Sequence, residues 1–242
     1  MAINISVITP TIRPEGLALL DKCLKKQTFL SYEWLIGSSF KPKVDFKHRW
    51  VQDDFTGGVW TLNRIYNKLI KEAKGELIVS IQDFIWFPYD TLEAFWFWYK
   101  EKGDKWCTTG SGHIYDQLDK YLKPYNMIWE DPRRQGMRKH GSNYECMHED
   151  CEANFCAWPK QMFYDVGGWD EQLDFTGYGM DNLSVSERAN DLGYRFWMDH
   201  TIECKGFRHE RPKDWDNKHN MHGAYDKRKD ELKGVWPKLS YL

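Results

Sequence analysis

The chain has 242 residues, with 34 Lys and Arg set against 36 Asp and Glu for a formal net charge of -2. That balance excludes a global nucleic-acid or anionic-membrane signature, and the length suits one α/β domain spanning residues 1–242. No apolar run approaches the roughly 20 residues a bilayer span requires, and the start MAINISVITP lacks a secretory pattern, so no membrane span and a cytoplasmic location are expected. Six cysteines are then ordinary core thiols. The 13 Trp, 13 Tyr and 13 Phe either fill the core or line a ligand site.

Residues Ile3 to Thr9 alternate apolar and polar positions and stop at Thr9-Pro10-Thr11, which predicts a short strand ending in a loop. From Pro14 to Phe29 the apolar positions Leu17, Leu20, Cys23 and Leu24 recur at helical spacing, with Pro14 suited to a first turn. Tyr32 to Ile36 and Arg49 to Gln52 read as strands. Thr61 to Ala73 reads as a helix carrying Leu62, Ile65, Tyr66, Leu69 and Ile70, ended by Gly75. Glu76 to Ile81 is a near-continuous apolar strand, and Pro88 opens an aromatic helix through Tyr99. Strands alternating with helices predict a mostly parallel sheet covered on both faces. Ligands of such sheets sit beyond the carboxyl ends of the strands, here Thr9 to Arg13, Gly37 to Phe40, Asp53 to Gly58 and Gln82 to Trp86.

Gly110 to Asp150 is rich in charge, Gly and His with no sustained period, and reads as long loops and short strands. Regularity returns at Asn154 to Trp158 and Lys160 to Val166, in a helix over Leu183 to Leu192 and in a strand over Tyr194 to Met198. The tail from Trp215 to Lys233 is polar and partly helical, expected to pack by few side chains. Cys146, His148, Cys151 and Cys156 are spaced C-x-H-x2-C-x4-C, unlike the paired short spacings of structural zinc sites. They read first as core thiols, with zinc as the alternative. Arg133, Arg134, Arg138, Lys139 and His140 form a cationic run beside Trp129, read first as a solvated loop, with contact to nucleic acid as the alternative.

Four segments in order resemble the family-2 inverting glycosyltransferases. They are ISVITPTIRPEGLALLDKCLKKQTF, GGVWTLNRIYNKLIKEAKGELIVSIQDF, Gly167-Gly168-Trp169-Asp170-Glu171, and Gly177-Tyr178-Gly179-Met180-Asp181-Asn182. The resemblance implies a GT-A fold, with residues 1–105 as a nucleotide-sugar-binding half, 106–212 as an acceptor-binding and catalytic half, and 213–242 as a tail. It implies a nucleotide-diphosphate sugar donor lined by Thr9, Pro10, Thr11, Arg13 and Asn63. The family's Asp-x-Asp metal motif falls at Gln82-Asp83-Phe84, so one carboxylate is lost. Asp83 and the late His209 become the implied ligands of Mn2+ or Mg2+, with Gln82 beside the diphosphate and Arg208 or Arg13 adding fixed positive charge.

Inversion needs a base to take the acceptor's proton. The family's Glu-Asp pair falls on Asp181-Asn182, which makes Asp181 the candidate, with helix N-capping as its other reading. The second strand ends in Gly37-Ser38-Ser39 rather than the family's base-reading Asp, so no uridine donor is implied; Asp53 and Asp54, just before Gly57-Gly58, read first as a turn, with replacement of that Asp as the alternative. The hydroxyl acceptor stays open between a glycan, a lipid-linked sugar, a protein and a hydroxymethylated base in viral DNA. A non-catalytic nucleotide-sugar or carbohydrate-binding module is the alternative function.

Overall fold

The computed structural model describes residues 2–54, 61–118, 124–175, 181–209, 221–232 and 242. The opening run forms β1 (Ile5–Pro10), buried at every position. A single turn of 3-10 helix from Pro14 leads into α1 (Leu17–Leu24), β2 (Tyr32–Ser38), β3 (Arg49–Gln52), α2 (Leu62–Glu72) and β4 (Leu77–Ile81). β3, β2, β1 and β4 lie side by side in that order, all parallel. Alternate residues of these strands face opposite layers, as the period of two requires. Val7, Trp34, Ile36, Leu77 and Val79 pack against α1 and its neighbours, while Ile8, Leu35 and Ile78 pack on the α2 side.

The second half extends the same sheet in mixed orientation. β5 (Ile85–Trp86), α3 (Thr91–Lys102), β6 (Trp106–Leu118), β7 (Pro124–Trp129), α4 (Met137–His140) and β8 (Asn143–Cys146) precede β9 (Phe155–Pro159), α5 (Lys160–Val166), α6 (Asp181–Asp191), β10 (Arg195–Phe207) and α7 (Met221–Glu231). β9 lies antiparallel between β4 and β6, and β10 runs parallel to β6. Among the described residues, helices lie on both sides of one sheet of ten strands. No helix among the described residues is long and apolar enough to cross a membrane.

Several boundaries differ from expectation for visible reasons. Gly75 is not a left-handed cap: the helix has already ended at the extended Ala73. A Cβ at Gly75 would lie 2.5 Å from the Ser6 nitrogen, so glycine there lets the chain press against β1. α3 starts at Thr91 rather than Pro88 because Gln27 takes over its entry, donating to the Pro88 carbonyl at 2.7 Å and accepting the Leu92 N–H at 3.1 Å. The region from Gly110, expected to be long loops and short strands, opens inside the 13-residue β6, which starts at Trp106. Gly110 and Gly112 belong to it, since a Cβ at either would strike the β10 backbone at Ile202 or Cys204. Among the described residues, side chains of α7 dock the tail: Arg228 Nε on Asp170 at 2.8 Å, and Tyr225 and Lys229 on Glu187.

Candidate functional site

Ile8 pairs with Ser80 across β1 and β4, so the loops leaving the two strands meet. Asp83 sits in the second loop with 1 % of its side chain exposed, and a buried charge requires partners. Arg13 Nε donates to Asp83 Oδ2 at 3.0 Å, Arg13 Nη2 pairs with Oδ1, and Thr11 Oγ1 donates to Oδ2. Thr11 is fixed in turn, its backbone N–H on the Gly37 carbonyl at 2.8 Å and its hydroxyl accepting the Arg13 N–H at 2.9 Å. A Cβ at Gly16 would come within 2.6 Å of the Asp83 carbonyl oxygen, so glycine at the start of α1 lets this loop approach.

β10 runs antiparallel to β5, with Gly206 opposite Ile85, and the Phe207 N–H binds the Phe84 carbonyl at 3.0 Å. This pairing carries the late His209 to the same place. Its ring stacks on Phe84 with centroids 4.1 Å apart, and the Arg13 guanidinium lies 5.6 Å from that phenyl centroid. His209 Nδ1 is 3.1 Å from the Phe207 carbonyl. A carbonyl can only accept, so the proton of the neutral ring is on Nδ1 and the lone pair on Nε2. Asp83, Arg13, Thr11 and His209 are therefore one cluster at the carboxyl ends of β1 and β4.

The other residues singled out in the sequence are placed as follows. Thr9 is buried, its hydroxyl donating to the Ile81 carbonyl at 3.0 Å and accepting the Trp34 indole N–H at 3.0 Å, and Pro10 pairs with Gly37. The Gln82 N–H binds the Asn154 carbonyl at 3.1 Å. Arg208 points away, its guanidinium 3.1 Å from Asp116. Asn63 is buried on the first turn of α2, its Nδ2 2.9 Å from Asp174, whose carboxylate also accepts the Asn63 and Arg64 N–H groups. Asp174 thus caps α2 from 111 residues away.

Asp53 is buried with its N–H on the Ser38 carbonyl at 2.9 Å, beside the end of β2, whereas Asp54 pairs at the surface with Lys68. Asp181 is the first residue of α6, but its side chain lies outside the described structure, as do Gly57, Gly58, Gly177 to Met180 and Glu210. Asn182 Oδ1 accepts the Ala153 N–H at 3.0 Å.

In the Cys and His segment, Cys151 and Cys156 are buried, and Cys151 Sγ accepts the Trp158 indole N–H at 2.7 Å. Burial, with the neighbouring Cys151 adding, pushes the Cys146 thiol up. His148 instead lies 3.4 Å from Ser186 Oγ. Among the described residues no group of three or more His, Cys, Asp or Glu is arranged to hold a metal ion.

The cationic run is only partly the solvated loop expected. Arg138, Lys139 and His140 are exposed, but Arg133 grips the fully buried Asp131, Nη2 to Oδ2 at 2.7 Å, and Arg134 Nη1 reaches Ser111 Oγ at 3.2 Å. Burial alone would raise the Asp131 carboxyl, yet the bonds and charge of Arg133 outweigh it and leave the group below the usual range.

Ser111 Oγ in turn lies 2.7 Å from His200 Nδ1, and His200 Nε2 lies 3.3 Å from the Tyr144 hydroxyl. Burial first, then the charge of Arg134, holds the His200 imidazole below its ordinary value of 6.5, against the opposing pull of Asp131 and Asp199. A lowered value means the unfolded chain binds the extra proton more readily. The stabilisation is therefore complete above about pH 6.5 and is lost as pH falls. The thermal midpoint should drop on going from about pH 7 to about pH 5, and His200→Gln should flatten that part of the slope; an unchanged slope in the variant would remove His200 as its source.

The arrangement of strands and helices is shared with glycosyltransferases of known structure. GalNAc-T7, crystallised with UDP, GalNAc and Mn2+, matches 95 % of this chain with a TM-score of 0.65 at 13 % identity. The fold is that of GT-A glycosyltransferases. TarS of S. aureus, residues 1–349, matches 85 % of the chain with a TM-score of 0.59 at 16 % identity. The chain spans 48 % and 60 % of the lengths of these two structures. No protein-family model matches the sequence, and no curated protein matches it.

Proposed function

We propose that this chain is an inverting glycosyltransferase that moves a sugar from a nucleotide-diphosphate donor to a hydroxyl acceptor. The observation that carries the reading is the cluster of Asp83, Arg13, Thr11 and His209 at the carboxyl ends of β1 and β4, where open α/β sheets bind nucleotides, in a fold whose relative GalNAc-T7 was crystallised with UDP, GalNAc and Mn2+.

A departing nucleotide diphosphate gains negative charge, and catalysis consists largely of meeting it with fixed positive charge. Arg13 supplies a guanidinium, held in place by a bidentate grip on Asp83 and by the Phe84 ring. Asp83 and His209 together offer one imidazole and one carboxylate, the latter a donor that suits Mn2+ or Mg2+, and the buried carboxylate already faces a cationic group of the chain. These two residues would hold the ion, which when bound neutralises charge on the diphosphate. Asp181, at the head of α6, takes the proton from the attacking acceptor hydroxyl. One observation favours a non-catalytic donor-binding module instead: Thr11 and Arg13 already engage the Asp83 carboxylate.

The test is the thermal midpoint with uridine, guanosine, cytidine and thymidine diphosphate sugars, with and without Mn2+. A ligand that binds only the folded chain at about 100 times its Kd adds about 2.7 kcal/mol. One nucleotide should raise the midpoint, more so with Mn2+, and slow donor hydrolysis should accompany it. No shift with any of them would overturn the donor site, and a shift without turnover on glycan or hydroxymethylated-DNA acceptors would favour the binding module.

A further inference from the structure

A cavity of about 160 Å3 opens between β6, β10 and the segment that enters β9, and its lining does not include Thr11, Arg13, Asp83 or His209. An engineered protein cavity of about 150 Å3 takes benzene, so this one has room for a single six-membered ring. Trp129, 41 % exposed, and Phe155 are among the residues that line it. Of the polar residues, His113, Arg133, Glu152 and Asn154 line it as well. Their roles are set by their neighbours. His113 Nδ1 accepts the Asp131 N–H at 3.2 Å, so the neutral ring keeps its proton on Nε2 and donates from there. Asn154 Nδ2 donates to Glu152 Oε2 at 3.1 Å, which orients the amide and leaves Glu152 Oε1 as an acceptor.

The cavity also adjoins the donor cluster. The Asn154 carbonyl accepts the N–H of Gln82, the residue before Asp83. Between Glu152 and Asn154, the Ala153 N–H is bonded to Asn182 in the first turn of α6. One short segment therefore lines the cavity, abuts the loop bearing Asp83 and ties down the helix that begins with Asp181.

We propose that this cavity is the acceptor subsite and that it takes a terminal hexopyranose of a glycan, seated on Trp129 and hydrogen-bonded by His113, Glu152 and Asn154. A pyranose carries apolar C–H groups on its faces and hydroxyls around its rim, which matches an indole together with one donor, one carboxylate and one amide. A nucleobase in a strand would instead require further stacking platforms and a cationic track for its phosphates; Arg133 also lines the cavity, but its guanidinium is committed to Asp131 and to the Asp150 carbonyl, and Glu152 adds a carboxylate to the same lining. The assignment as acceptor subsite rests on the transferase reading; the assignment as a hexopyranose site does not.

The experiment is saturation-transfer NMR on the full chain with methyl glycosides of glucose, galactose, mannose, N-acetylglucosamine and N-acetylgalactosamine, and with a single-stranded oligonucleotide bearing 5-hydroxymethylcytosine. At least one methyl glycoside should bind, and Trp129→Ala and Glu152→Gln should each weaken it by about tenfold or more, with the nucleotide-sugar midpoint shift retained. Both variants are expected to fold, since Trp129 is partly exposed and Gln has the shape of Glu. No binding of any glycoside, equal binding to both variants, or binding of the oligonucleotide alone would overturn the proposal. Glycoside binding that depends on Trp129 while no nucleotide sugar shifts the midpoint would support the hexopyranose site and overturn the transferase reading alone.

Discussion

Asp83→Asn is expected to remove the Mn2+-dependent part of donor binding and to lower turnover about 10²- to 10³-fold. The substitution keeps the shape of the side chain and its contact with Thr11 but removes the charge that holds Arg13 by two nitrogens. On the proposed reading both charge-bearing elements of the donor site would be weakened together: a bound metal would lose its carboxylate, and the guanidinium its bidentate hold. The fold should survive. Arg13 is 12 % exposed and can turn toward water, so the cost is closer to that of a buried hydrogen bond left unmade, about 1–3 kcal/mol, than to that of a stranded core charge. Arg13→Lys separates the two contributions, because an ammonium is a point charge that cannot span both carboxylate oxygens. It should retain metal-dependent donor binding and lose turnover. Calorimetric titration of the nucleotide sugar with and without Mn2+ reads both variants, and unchanged affinity and rate in Asp83→Asn would detach this cluster from the donor site.

How much of this was legible in the sequence follows from which forces are local. β1, β2, β4 and α2 announce themselves because each buries a run of side chains whose period the sequence displays, and the position of Asp83 past a strand end follows at once. β6 stayed hidden for the opposite reason. Its GSGHI stretch has the composition of a loop, yet Gly110 and Gly112 are there because β10 passes too close for a side chain. The pairing that requires glycine is about 90 residues distant, with Gly112 opposite Cys204. Asp174 on α2, Gln27 on α3 and Arg228 on Asp170 are likewise non-local. Such partners leave no periodic trace. The Trp129 cavity escaped for a related reason: the tryptophan and its cationic neighbours were visible, but Glu152 and Asn154 join them only through the order of β9, β6 and β10 in the sheet.

Asp181→Asn should reduce turnover about 10²- to 10⁴-fold, the usual range for a lost general base, while the donor-induced midpoint shift stays as in the parent chain. The choice between the two adjacent residues is chemical. Asn182 has no basic atom at neutral pH, and its Oδ1 is already engaged by the Ala153 N–H, so its part is to hold the segment that lines the cavity. Asp181 stands at the first residue of α6 and is the one of the two that carries a carboxylate, the group a general base requires. Asn182→Asp is the control: an aspartate there can still accept the Ala153 N–H, so the segment stays in place while a carboxylate appears one position along. If the double variant Asp181→Asn/Asn182→Asp stays inactive, the base must project from the first position of the helix; recovered turnover would place it on the second, and the geometry of attack would have to be built around the residue that anchors the cavity wall.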